Sequence, residues 1–452
     1  MSLYTETPAS HDVGPVTNAA APGRQPRRRW RRALKGALAP LRSRDYRLLF
    51  GGQLISVIGD NFYAVALPWL IFANGGTARD LGIVLTAYSL PRVVTVLLGG
   101  WLSDRLRPRL VMLGADSARM LLMASLGALA LWSRPPLWQL CAILAAQGVF
   151  SGLFIPASWA ITPDVLPDEA LQAGNSLTFS WGQLANLAGP GVAGIVVARF
   201  GSAIALLADA LTFAVSTLTL SAIQSKHNHA RQGRSSPAAT DGAMGDETRP
   251  KQEERDQPTL NFWRFLRGSR LFQLILLMSV ASNLIYGGVL EVGLPTLAHG
   301  PLHANATAYG VMLVGFGVGA LVGGFSSSAL GRVPHRGLVY LLIWAAQGLA
   351  MAAIPLSGHV FGAAAALVAM GLCNGLGNVT SATIIQQYVP RPLMGRIMGA
   401  FAFANYGLFP ISVALVGFAL TSIGSATLIT GAGLLTLVVI VGVVIPPDIR
   451  RL

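Results

Sequence analysis

Twelve stretches of about 20 apolar residues follow one another between Leu48 and Ile445, and nothing else in the chain constrains its fold so strongly. A hydrocarbon core about 30 Å thick takes roughly 20 residues at 1.5 Å each. The stretches are predicted as spans at 48–73, 80–103, 109–132, 138–161, 173–198, 203–223, 271–298, 307–330, 338–356, 360–385, 397–420 and 424–446. Pro68, Pro91, Pro156, Pro190, Pro295 and Pro410 fall inside them, a placement that membrane helices tolerate and soluble helices do not. Only 12% of the 452 residues are charged, roughly half the soluble share. Whole-chain readings as a soluble enzyme, a secreted disulfide scaffold or a disordered tail are therefore excluded.

The net charge of +14 would suit nucleic acid if the basic residues formed a patch, but they lie between the apolar runs. With a cytoplasmic N-terminus, 28 of the 33 Lys and Arg residues fall in inside segments and 3 (Arg79, Arg134, Arg199) in outside loops. That asymmetry predicts both termini in the cytoplasm. Residues 1–46 read as a basic tail and not a cleavable signal, because the arginines are not followed by a short apolar core. Within them, Trp30, Leu34, Leu38 and Leu41 recur at helical spacing beside arginines. The pattern suits either a helix on anionic lipid headgroups or a solvated tail that sets topology. The polar stretch 224–270 reads as a largely disordered linker between six-helix bundles at 47–223 and 271–446, with 447–452 a short tail. Cys141 and Cys373 lie inside apolar runs and the histidines show no ligand spacing, so neither a metal nor another cofactor is implied.

The two bundles read as copies of each other. Gly100–Asp104 aligns with Gly324–Ser328, Val165–Pro167 with Tyr388–Pro390 and Trp181–Gly182 with Tyr406–Gly407, at offsets of 224, 223 and 225. Repeated halves around a site near the bilayer midplane are the architecture of alternating-access transport.

Gly100-Trp-Leu-Ser-Asp104-Arg105-Leu-Arg107-Pro-Arg109 resembles the signature between helices 2 and 3 of the major facilitator superfamily. The resemblance implies an all-α polytopic fold of twelve transmembrane helices in two repeats. It also implies a loop that locks the cytoplasmic side shut in one state, with Gly100 permitting close helix approach and Asp104, Arg105 and Arg109 carrying the charge. The second copy has Ser328 in place of the acid. Gly189-Pro190-Gly191-Val-Ala-Gly194 is similar to the helix-5 signature of drug antiporters in the same superfamily, and other segments resemble its macrolide-efflux and siderophore-exporter branch.

Ionisable side chains in lipid are costly and so mark functional positions. Asp60 and Arg92 fall at similar depth in neighbouring spans. A static pair between them and a titrating or cargo-contacting Asp60 both fit. Glu291, among Tyr286, Gly287, Gly288 and Gly293, is the first choice for the acid that couples protons to export, with an outer-gate hydrogen bond and simple surface exposure as the other readings. Asp116 and Arg119 share one helix face at i and i+3, which suits a structural pair tied to the Asp104 loop; Asp209 has no evident partner. Asn61, Arg92, Gln147, Trp181, Asn186, Tyr286, Asn374, Asn378 and Tyr406 form the expected cavity lining, with helix packing the alternative for each.

The expected function is secondary export of an amphipathic small molecule in exchange for protons, by a multi-pass monomer of a bacterial cell membrane whose other partners are lipids. A siderophore, metabolite or lipid cargo and a non-transporting sensor stand as the rivals. The span acids (Asp60, Asp116, Asp209, Glu291) outnumber the span bases (Arg92, Arg119), which favours a lipophilic cation.

Overall fold

A computed structural model describes residues 38–224, 267–327, 336–389 and 403–444, together with Leu393 and Ile397. Most of the expected N-terminal tail (residues 1–37), most of the linker and the C-terminal tail lie outside the described residues, as do Gly331–Arg332 and Gly395–Arg396. The N-terminal half comprises α1 (Arg44–Ala73), α2 (Ala78–Arg105), α3 (Pro108–Trp132), α4 (Leu137–Ala160) and the helical stretch Asp168–Ala222. That last stretch turns at Gly201, whose φ of 84° belongs to the left-handed region open to glycine; residues 168–200 are α5 and residues 202–222 are α6. The C-terminal half comprises α7 (Arg270–Gly288, continued by a π turn over Val289–Gly293 and by Leu294–His299), α8 (Ala306–Ser326) and α9 (Arg336–Ala353). It closes with α10 (Val360–Tyr388), α11 (the π turn Phe403–Gly407 and Phe409–Ala419) and α12 (Ser425–Val444).

Ten of these helices are long and apolar enough to cross a membrane, counting Asp168–Ala222 once, and the shorter Phe409–Ala419 joins them. Dividing the first at Gly201 gives the twelve spans. In hydrocarbon every backbone group must be satisfied within its own segment, and the hydroxyls follow the same rule: Ser89, Thr95 and Ser103 each donate to the carbonyl four residues back. Helix starts are fixed by side chains. The Thr77 amide donates to Asp80 at 2.8 Å while the Asp80 amide donates to the Thr77 hydroxyl at 3.4 Å, a reciprocal cap that begins α2.

The internal repeat is visible in the packing. In α4, a Cβ on Gly148 or Gly152 would collide with the carbonyls of Tyr88 and Arg92 on α2. In α10, Gly371 and Gly375 stand in the same relation to the carbonyls of Phe316 and Ala320 on α8. Both halves therefore build their α2–α4-type pair on two glycines four residues apart, the spacing that lets helix backbones approach.

The halves meet at one end of the bundle, where α1, α5, α7 and α11 finish and α2 and α8 begin. Trp69 stacks on Tyr309 with ring centroids 5.0 Å apart, Phe72 stacks on His299 at 5.0 Å, and the Arg79 guanidinium lies 5.3 Å from the Phe418 ring. Thr307 donates to the Gly194 carbonyl at 3.3 Å. The molecule is thus closed at this end.

Candidate functional site

The core of the N-terminal half holds a polar cluster built from three helices. Asp60 of α1 and Asp116 of α3 both bind Arg119 of α3, at 2.6 Å and 3.4 Å. Arg119 lies on the buried face of α3, and its guanidinium sits 4.0 Å from the Phe213 ring of α6 and 5.5 Å from that of Phe154 in α4. Ser216 of α6 donates to the second oxygen of Asp116 at 2.6 Å. The Asp116 and Arg119 side chains are 0% and 4% exposed, whereas that of Asp60 is 47% exposed. One end of the network is sealed in protein, and the other, at Asp60, is accessible to solvent.

The expected pair between Asp60 and Arg92 is therefore not formed: Asp60 takes Arg119. Arg92 lies 5.6 Å from the Tyr88 ring, and its charge reaches Glu291 in the other half. Glu291 is exposed. It sits in the π turn of α7, whose cause is local. Ser412 of α11 donates to the Leu284 carbonyl at 2.8 Å and accepts from the Gly288 amide at 2.7 Å. Those two groups would otherwise bond each other along the helix, so the inserted hydroxyl opens the ladder just before Glu291.

The Gly100–Arg109 loop lies at the end of α2 opposite the closed end. Arg109 donates to the carbonyls of Leu220 and Ser221, placing a cation on the C-terminus of α6. Arg105 lies 4.3 Å from the Trp101 ring, and the side chain of Asp104 lies outside the described residues. Gly100, expected to permit close approach, faces open space; its neighbour Gly99 packs against Leu153 and Pro156 of α4. Asp116 and Arg119 belong to the buried cluster and not to this loop.

In the helix-5 motif, Gly189 lies against Asn61 of α1. Pro190 and Gly194 face Gly310 of α8, with a Cβ on Gly194 falling 2.5 Å from the Ala306 carbonyl. The motif is a contact between the halves at the closed end.

The expected lining residues divide. Asn186 and Trp181 are exposed, Trp181 edge-on to Phe50 at 6.4 Å. Asn378 is exposed and donates to Asn374 at 3.0 Å. Asn61, Gln147 and Tyr286 are instead buried inside their own halves: Asn61 donates to the Val57 carbonyl at 2.7 Å, and Tyr286 donates to Thr436 at 3.1 Å. The Tyr406 side chain lies outside the described residues. The sequence left Asp209 without a role, yet it is fully buried in α6 beside the cluster. Its one visible signal was an acid inside an apolar span.

A model of the Major Facilitator Superfamily matches residues 49–413. The chain belongs to that superfamily. It is a multi-pass membrane transporter, related to the multidrug efflux pump Tap of Mycolicibacterium fortuitum at 24% identity over 82% of this chain and 88% of that one. The enterobactin exporter EntS of Citrobacter koseri is 26% identical over 88% of this chain and 90% of its own. Among solved structures, a bacterial homologue of the iron transporter ferroportin in an inward-facing state matches with a TM-score of 0.61 at 16% identity, covering 88% of this chain and 98% of that one. The nucleoside transporter NupG matches with a TM-score of 0.64 at 11% identity over 88% and 97%. At such identities the structural likeness speaks for the fold alone.

Proposed function

We propose that this transporter exports an amphipathic small molecule, with a lipophilic cation as the favoured class, in exchange for protons. The observation that carries the reading is a pair of solvent-accessible carboxylates inside spans, the half-exposed Asp60 in the N-terminal half and the exposed Glu291 in the C-terminal half. A carboxylate at the wall of a cavity that alternates between dry and wet can bind either a cation or a proton, and that competition is the chemistry of antiport. Arg92 is the cation whose charge reaches Glu291, and a cationic cargo would compete with it for that carboxylate.

The charge asymmetry of the loops supports a cytoplasmic location for both termini in a bacterial inner membrane. The closed end is then extracytoplasmic and the opposite end faces the cytoplasm, where an exporter loads. The Asp104 loop would engage when that end shuts, and the halves suffice as a monomer. The names of the relatives, an efflux pump and an exporter, support export over uptake.

Glu291→Gln is the test: gradient-driven export should be lost while cargo binding persists, and unchanged export in that variant would refute the coupling role. Cargo class is read from accumulation of a macrolide, a tetracycline, a cationic dye and a catechol siderophore in a pump-deficient host, with and without a protonophore. The siderophore is included because the likeness to an enterobactin exporter covers the larger share of the chain.

A further inference from the structure

Three carboxylates and one guanidinium share the core of the N-terminal half. Arg119 satisfies Asp60 and Asp116, and Ser216 completes Asp116. Asp209 is left over. The Thr212 hydroxyl donates to the Asp209 main-chain carbonyl at 2.7 Å and reaches the Asp209 Oδ1 only at 3.5 Å, and the Asp209 Oδ2 is buried with no partner. The Nε of Arg119 is likewise buried without an acceptor. A bare carboxylate oxygen in this position would be an uncompensated charge of the kind that folded proteins avoid.

The charged and titratable groups facing Asp209 are Asp60 and Tyr63 from α1 and Asp116 and Arg119 from α3. The approach of α1 is close: a Cβ on Gly59 would fall 2.5 Å from Asp209 Oδ1, and the next residue is Asp60. Asp209 thus lies behind the cavity wall, directly across a glycine from the half-exposed acid that holds Arg119.

We propose that Asp209 is a proton-binding site of the transport cycle, and that Arg119 connects it to the cavity by exchanging Asp60 for Asp209. This rests on the export reading and adds to it a site apart from Glu291. A cationic cargo entering from the cytoplasmic side pairs with Asp60. Arg119, released, turns to Asp209. The Asp209 O–H bond breaks, the proton leaves through cavity water on the Asp60 side, and the new carboxylate pairs with the guanidinium. One positive charge enters the cluster and one leaves. When cargo departs at the other face, Asp60 recovers Arg119 and Asp209 takes up a proton.

The experiment uses the full-length protein in lipid nanodiscs, in weakly buffered solution with a pH-indicator dye, and tetraphenylphosphonium as the cation. The wild-type protein should release protons on binding it, whereas Asp209→Asn should bind the cation and release fewer, with Glu291 intact in both; release undiminished in that variant would overturn the proposal. Infrared spectra of the cargo-free protein test the site independently. A protonated carboxylic C=O band should vanish in Asp209→Asn, and its persistence would overturn the assignment. If the wild-type protein does not bind the cation, the cationic-cargo reading fails, and the infrared band still decides Asp209. Should Asp209→Asn not fold, Thr212→Val removes the hydroxyl at Oδ1 and should shift the same band, an unshifted band being the contrary result.

Discussion

Substituting Gly194 by Ala should push the transporter out of the conformation described here. The added Cβ would sit 2.5 Å from the Ala306 carbonyl and 3.2 Å from the Gly310 Cα, where ordinary contact begins at 3.4 Å. The obstacle is backbone on both sides, so α5 and α8 must separate by roughly an ångström at the closed end. Overpacking of this kind costs about 1–3 kcal/mol. The cost falls only on the state that brings α5 against α8, so it becomes a bias of about 5- to 150-fold toward states in which the closed end has parted. The assay is pulsed electron resonance between spin labels on Arg199→Cys and His303→Cys, one exposed site in each half near the closed end. The native cysteines, Cys141 and Cys373, would first be replaced by serine. A longer-distance population should grow in Gly194→Ala. Gly114→Ala, whose Cβ would meet nothing within 4 Å, should leave the distribution unchanged. An identical distribution in both variants would refute the claim that these glycines set the closed-end contact.

Arg119→Gln should lower thermal stability in detergent by about 3–5 kcal/mol, because it strands Asp60 and Asp116 without their buried partner; a melting temperature unchanged from wild type would mean that the pair contributes nothing. Tyr46→Phe removes a buried hydroxyl that donates to the Gly174 carbonyl at 2.8 Å and should cost about 1–3 kcal/mol, read as a fall in melting temperature. Trp69→Ala deletes the stack on Tyr309, losing about 0.5–1.5 kcal/mol beyond area burial, and should raise maleimide labelling of a cysteine placed at the buried Ala306. Ser412→Ala should let the Gly288 amide return to the Leu284 carbonyl, reducing the π turn beside Glu291; slower export with normal membrane expression is the expected readout.

Much of the architecture was legible in the residue order. The predicted spans 138–161 and 109–132 correspond to helices Leu137–Ala160 and Pro108–Trp132, because a backbone in hydrocarbon must satisfy itself and apolar length then sets the helix. The expected repeat is seen in Gly148 and Gly152 against Gly371 and Gly375. The presence of intramembrane acids was equally plain, since an ionisable residue stands out in any apolar run.

Which of those residues touch was settled only by the tertiary structure. Hydropathy and residue count measure depth along the membrane normal, and by depth alone Arg92 suited Asp60. Pairing also depends on the angle each side chain makes around its helix and on which helix lies beside it, and these put Arg119 against Asp60 and Arg92 across from Glu291. The same angle turned Tyr286 into the core of the C-terminal half and left Gly100 facing open space while Gly99 packs. Asp209 needed three helices in place before its buried, unpartnered oxygen could be seen. A sequence states where along a helix a charge must be accommodated; the packing of neighbouring helices decides what accommodates it.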